Sequence, residues 1–132
     1  MDNEIGNLIR LFVWRTPKKN HDAMIQLGKP AKELFGNIGV RQEIFQLEGN
    51  SELSEQNEMA EKMGFTNIAK AVSANKDEEV WLELQFYRDK KHLDDVSAKM
   101  QKDDNAGELG KQFMGLISPG SCIEGWFSQL SF

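Results

Sequence analysis

The sequence predicts an α+β domain made of two strand–helix–strand units in the order β-α-β-β-α-β. Three observations predict it. The phrase "WRTPKKNHD" at 14–22 returns as "YRDKKHLDD" at 87–95, each an aromatic and an Arg followed by paired Lys, a His and an Asp. In both places a run rich in strand-forming residues gives way to apolar residues at helical spacing. A further strand-like run closes each unit, "VRQEIFQLE" at 40–48 and "SCIEGWFSQL" at 121–130. Such a duplication is the signature of the split βαβ, or ferredoxin-like, arrangement: a four-stranded antiparallel sheet with helices on one face.

Each element has its own grounds. "NLIRLFVWR" (7–15) is aliphatic and aromatic and is followed by Pro17, which predicts a strand to about Thr16. Met24, Leu27, Ala31, Leu34 and Ile38 then recur at helical spacing, with Gly36 and Gly39 as the stop. Pro30 lies inside that pattern, removes a backbone donor and predicts a kink or break near residues 28–30. "VRQEIFQLE" alternates as a half-exposed strand does. The acidic stretch at about 50–66 reads as a surface excursion with a helical turn in 52–63, and "NIAKAVSA" (67–74) as an extension of the sheet. "VWLELQFY" (80–87) is the clearest strand. Asp89 caps a helix bearing Leu93, Val96 and Met100. "KDDNAG" interrupts it, "ELGKQFM" adds a short helix, and Pro119 and Gly120 turn the chain into the last strand.

A length of 132 residues suits one domain able to bury a core without disulfides. A net charge of -5 argues against gripping a nucleic-acid backbone, which needs a basic stripe. No helix pairs a basic face with a bulky apolar one, and no apolar run approaches the roughly 20 residues of a membrane span. "MDNEIGNLIR" lacks the basic and apolar regions of a secretory signal, and Cys122 has no second cysteine to pair with. A cytoplasmic protein is expected, acting on a soluble partner or a small organic molecule.

Strand parity sorts the side chains. Ile9, Leu11, Val13, Val80, Leu82, Leu84 and Phe86 are expected to face the helices. Arg10, Phe12, Trp14, Trp81, Glu83, Gln85 and Tyr87 are then expected on the bare face, joined from the last strand by Glu124 and Trp126. All three tryptophans on one open face make a patch that must be covered. A second copy of the chain covers it as a homodimer, or the polar groups among aromatics line a pocket. The two are compatible if paired sheets enclose a cavity.

Within that face Glu83 and Tyr87 are candidate catalytic residues, with His92 at a helix start as a third. Arg10, Trp14, Trp81, Gln85 and Trp126 are candidate ligand contacts. Glu83 is expected against Arg10, as an ion pair or as a carboxylate in an apolar cavity. His21 occupies the position equivalent to His92, where first-turn polar contacts are the ordinary role. Cys122 reads as a small core residue, and the lysine pairs as solvated turns. Two histidines and one cysteine make no metal motif, and no glycine-rich loop follows a strand in phosphate-cradling form, so no metal and no cofactor are expected.

The segments "FVWRTPKKNHDAM" (12–24), "IAKAVSANKDEEVWLELQFYRDKKHLDDVSAKMQKD" (68–103) and "GSCIEGWF" (120–127) carry a resemblance. On them the chain resembles the YbaA-like family, small bacterial proteins with a domain of unknown function. The resemblance implies a ferredoxin-like fold in the dimeric α/β-barrel superfamily, where two sheets pack through their bare faces. Relatives there include cofactor-free monooxygenases, isomerases, haem-binding enzymes and ligand-binding modules; the family itself brings no catalytic residues. The chain departs from it in the acidic 50–66 stretch and in "LISPGSCIEGWF", which lacks the usual basic residue and double glycine. The leading expectation is a small-molecule-binding or accessory homodimer. The alternative is a cofactor-independent enzyme on an aromatic or lactone-like substrate, with Trp14, Trp81 or Trp126 stacking it and Glu83, Tyr87 or His92 moving a proton.

Overall fold

A computed structural model describes residues 8–49 and 53–132. Asn7, where the first strand was expected to start, and the beginning of the acidic excursion at 50–52 lie outside the described residues. The strands are β1 (Leu8–Pro17), β2 (Arg41–Gln46), β3 (Glu78–Tyr87) and β4 (Ile123–Ser128). They form one sheet in the order β2-β3-β1-β4, and every neighbouring pair is antiparallel. The long strands β1 and β3 hold the centre, paired from Leu8 opposite Tyr87 to Pro17 opposite Glu78. The helices are α1 (His21–Asn37), α2 (Ser54–Lys62), α3 (Ile68–Ala71), α4 (Lys90–Gln101) and α5 (Asp104–Leu116).

Local chemistry explains where helices begin. Asp89 accepts the backbone N–H of His92 at 2.8 Å, capping α4 as its sequence implies. Asp103 accepts from the N–H groups of Asn105 and Ala106, so α5 starts inside "KDDNAG" and is a 13-residue helix, longer than "ELGKQFM" suggested. Residues 67–74 do not extend the sheet. Asn67 caps Lys70 N–H at 2.8 Å and nucleates the single turn of α3, and Ser73 closes it at a φ of 57°. α1 runs through Pro30 without a break. Pro30 and Gln26, whose carbonyl the proline leaves unbonded, are both exposed, so water can take the place of the missing donor.

Register confirms which residues share a face but reverses which face the helices take. Trp14 stands opposite Trp81, Phe12 opposite Glu83 and Arg10 opposite Gln85. That aromatic and polar face is the one under the helices. Trp14 and Trp81 form a buried cluster with Met24 and Leu27 of α1 and Ile117 after α5, with Leu109 and Phe113 of α5 against it. At the other end Tyr87 packs with Val40 and Val96, backed by Leu93 and Met100 of α4. The aliphatic face expected beneath the helices is turned away from α1, α4 and α5. Val13 and Val80 are buried there, and Ile9, Leu11, Leu82, Leu84 and Phe86 are half-buried. Phe45, Ile123 and Phe127 on the same face are about half exposed, at 48%, 54% and 54%. Alternation divides side chains into two sets; it does not say which set meets the helices.

The indole of Trp14 is nearly parallel to that of Trp81, at 6.3 Å and 13°, and meets Phe113 edge-on at 5.0 Å. Trp14→Ala removes both contacts from a site that is 1% exposed. The expected cost is about 3–5 kcal/mol of folding stability, measured as a lower urea midpoint at unchanged slope.

Candidate functional site

Between the sheet and the helices lies a cavity of about 600 Å³. Its floor is made by alternate residues of three adjacent strands: Arg10, Phe12 and Trp14 of β1, Gln42 and Ile44 of β2, and Trp81, Glu83 and Gln85 of β3. The period-two pleat places all eight on one side. The roof is apolar, chiefly Met24, Leu27 and Ala31 of α1 and Leu109 and Phe113 of α5.

The polar part of this floor is a short hydrogen-bonded chain. Glu83, 8% exposed, accepts at Oε2 from Gln42 Nε2 at 2.9 Å and from Gln85 Nε2 at 2.6 Å. Gln85 Oε1 in turn accepts from the Tyr87 hydroxyl at 2.7 Å. Burial raises the Tyr87 pKa above its ordinary value, the carboxylate of Glu83 adds to this, and Arg10 opposes it. The hydroxyl therefore stays protonated and able to donate. Gln42 Oε1 is buried and has no hydrogen-bond partner among the described residues.

Arg10 does not pair with Glu83. It donates from Nε to Glu124 of β4 at 2.5 Å, and its guanidinium lies over Phe12 at 4.4 Å and Trp126 at 5.1 Å. The register explains this: Phe12 stands opposite Glu124 on one side and Glu83 on the other, and Arg10 turns toward β4. Of the eight candidates from the sequence, Arg10, Trp14, Trp81, Glu83 and Gln85 line the cavity. Tyr87 sits behind Gln85 at the end of the chain. His92 is buried beside Tyr87, 5.7 Å ring to ring, with Nδ1 accepting the Arg88 backbone N–H at 3.1 Å. Trp126 is 5.9 Å from Tyr87 and partly exposed at the sheet edge. Gln42 was not among the candidates. Its signal was its place in the alternation of "VRQEIFQLE", which β2–β3 pairing converts into a seat opposite Gln85 and diagonal to Glu83.

Two other groups complete the surroundings. Burial pushes the Cys122 thiol up, with Glu124 and Glu83 adding to it and Arg10 opposing, which disfavours the thiolate. At the opposite end Glu79 Oε1 faces both His21 Nδ1 at 2.9 Å and Trp81 Nε1 at 3.2 Å. Among the described residues no group of three or more His, Cys, Asp or Glu is placed to hold a metal ion.

Together these features define an α+β protein with a half-open, largely apolar cavity between sheet and helices, floored by one carboxylate that accepts from two amides. The chain belongs to the family described as "Protein of unknown function (DUF1428)", whose model matches residues 7–115. That span contains every floor residue of the cavity and leaves β4, with Glu124 and Trp126, outside it. No curated protein matches the chain. Among the described residues no helix is long and apolar enough to cross a membrane.

The hydrogen bond that His21 donates to Glu79 raises its pKa above the ordinary value of 6.5; burial opposes this, and the charges of Glu79 and Asp22 add to it. A folded-state pKa above the unfolded one stabilises the fold fully below the unfolded value and loses that contribution as pH rises through the folded value. The urea midpoint is therefore expected to fall between about pH 6 and pH 8. His21→Gln should flatten that limb of the profile.

Proposed function

We propose that this chain is a small-molecule-binding module that works as a homodimer. The observation that carries the reading is the cavity itself, whose size falls within the ordinary range for ligand sites and whose apolar walls surround a few converging polar groups. Trp14 and Trp81 supply flat aromatic surface at one end, and Glu83, Gln42 and Gln85 supply orientation. Binding is favoured over proton-transfer catalysis by placement. Of Glu83, Tyr87 and His92, only Glu83 lines the cavity.

In this reading the two strand–helix–strand units form a ferredoxin-like domain. Two copies pair through their aliphatic sheet faces, as the dimeric α/β-barrel superfamily and the YbaA-like resemblance imply. Support comes from Leu82, Leu84 and Phe86 beside Ile9, Leu11 and the half-exposed Phe45 and Phe127, an apolar sheet surface of the composition found at the cores of subunit interfaces. The single cysteine suits a reducing, cytoplasmic setting.

Two measurements test this. Quenching of tryptophan fluorescence by a panel of uncharged aromatic compounds should saturate at micromolar ligand. Ala31→Phe, which adds a ring to the cavity roof, should weaken that response about tenfold or more; an unaltered response would place the ligand elsewhere. Sedimentation equilibrium should return twice the chain mass. Leu84→Asp should shift it to monomer with the cavity response retained, and a monomeric parent chain would remove the paired-sheet arrangement.

A further inference from the structure

We infer that the cavity selects ligands that donate hydrogen bonds, an aromatic molecule bearing a neutral hydroxyl or amino group, and discriminates against anions. The inference rests on the cavity being a ligand site. Its ground is the polarity of the hydrogen-bonded chain on the floor. Glu83 Oε2 accepts from both neighbouring amides, so each turns its NH₂ end toward it. Gln85 then offers its oxygen to the one donor available, the Tyr87 hydroxyl. Gln42 has no such neighbour. With its nitrogen committed to Glu83, its carbonyl oxygen is left buried with no partner among the described residues, on a side chain 5% exposed that lines the cavity. Both amides converge on Glu83 Oε2, so Oε1 remains as a second acceptor.

A buried polar atom in a folded protein is ordinarily paired. What would pair the buried Gln42 Oε1, and what the second oxygen of Glu83 can also accept from, is an O–H or N–H donor, and a carboxylate or phosphate ligand carries none. Charge points the same way. Among the described residues Arg10 is the one cationic residue of the cavity lining, and its guanidinium is engaged by Glu124. The charge left uncompensated on the floor is the negative charge of Glu83, which opposes an anion. The walls add the aromatic requirement: Phe12, Trp14, Trp81 and Phe113 present ring faces and edges, and about 600 Å³ accommodates a fused two-ring system or larger.

The test compares three compounds on one ring system by isothermal titration calorimetry with the full chain: naphthol, its methyl ether and the corresponding naphthoic acid near neutral pH. Naphthol should bind about tenfold or more tightly than the ether, and the naphthoate most weakly. Gln42→Met, which keeps length and removes one of the two acceptors, should reduce the advantage of naphthol over the ether. The comparison on the unaltered chain stands even if that variant folds poorly, and circular dichroism checks its folding. Equal affinity for naphthol and ether, or preference for the naphthoate, overturns the donor rule and leaves the cavity as a ligand site. Absence of binding by all three to folded protein overturns both.

Discussion

The arrangement depends on the contact of Trp14 with Trp81 across the two central strands. Each indole N–H is satisfied on its own strand two residues away, Trp14 by Thr16 Oγ1 at 3.0 Å and Trp81 by Glu79 Oε1 at 3.2 Å. With the nitrogens tied down the rings lie nearly parallel, and the edge of Phe113 is set against Trp14. Two such side chains form a tall support between sheet and helices, and Tyr87 with Val96 forms another at the far end. Helices supported at both ends and not between leave space above the strands, and the shorter polar residues Glu83 and Gln85 occupy the floor of that space. The cavity follows from the spacing of large residues along β1 and β3.

The turn that follows α5 is locked to the sheet by a separate polar cluster. Arg15 Nη1 donates to both oxygens of Glu78, at 3.0 and 2.9 Å, and the Ser118 hydroxyl donates to the same carboxylate at 2.6 Å. Ser118 N–H donates to the Arg15 carbonyl, and the Ser121 hydroxyl accepts from Arg15 N–H. Burial alone would raise the Glu78 pKa, but the hydrogen bonds from Ser118, the Asn75 backbone and Arg15 outweigh it and hold the carboxyl below its usual value. This cluster delivers the chain to the edge of β1, where β4 adds and brings Glu124 to Arg10. The partner of Arg10, the cationic residue of the cavity lining, is in this way settled by a strand that joins at the sheet edge.

Much of this was legible in the residues. The repeated phrase identified both strand-to-helix junctions, the Asp89 cap placed α4 correctly, and the alternation of "VWLELQFY" separated Trp81, Glu83 and Gln85 from Leu82, Leu84 and Phe86. What was not legible was relational. Aliphatic residues were expected under the helices because burial favours them. Here the larger rings bridge to the helices, and the aliphatic set faces away. Arg10 and Glu83 look like partners by parity, yet Glu83 has amides beside it on both sides and Arg10 has a carboxylate on β4. Gln42 became visible only through the β2–β3 register, which no single strand contains. The expectations at Pro30 and at 67–74 failed for a simpler reason: exposed backbone at Pro30 tolerates a lost donor, and one Asn cap turned residues near 67 into a helix.

The pleat of β3 has a consequence for how such a protein can change over generations. Neighbouring positions in this strand look into different surroundings, 83 into the cavity and 84 onto the aliphatic surface. Substitutions at one parity alter what the interior holds, and substitutions at the other alter what the exterior touches. A single ribbon of backbone thus keeps two selective pressures apart at a distance of one peptide bond, so either property can drift or be tuned while the other stays as it was.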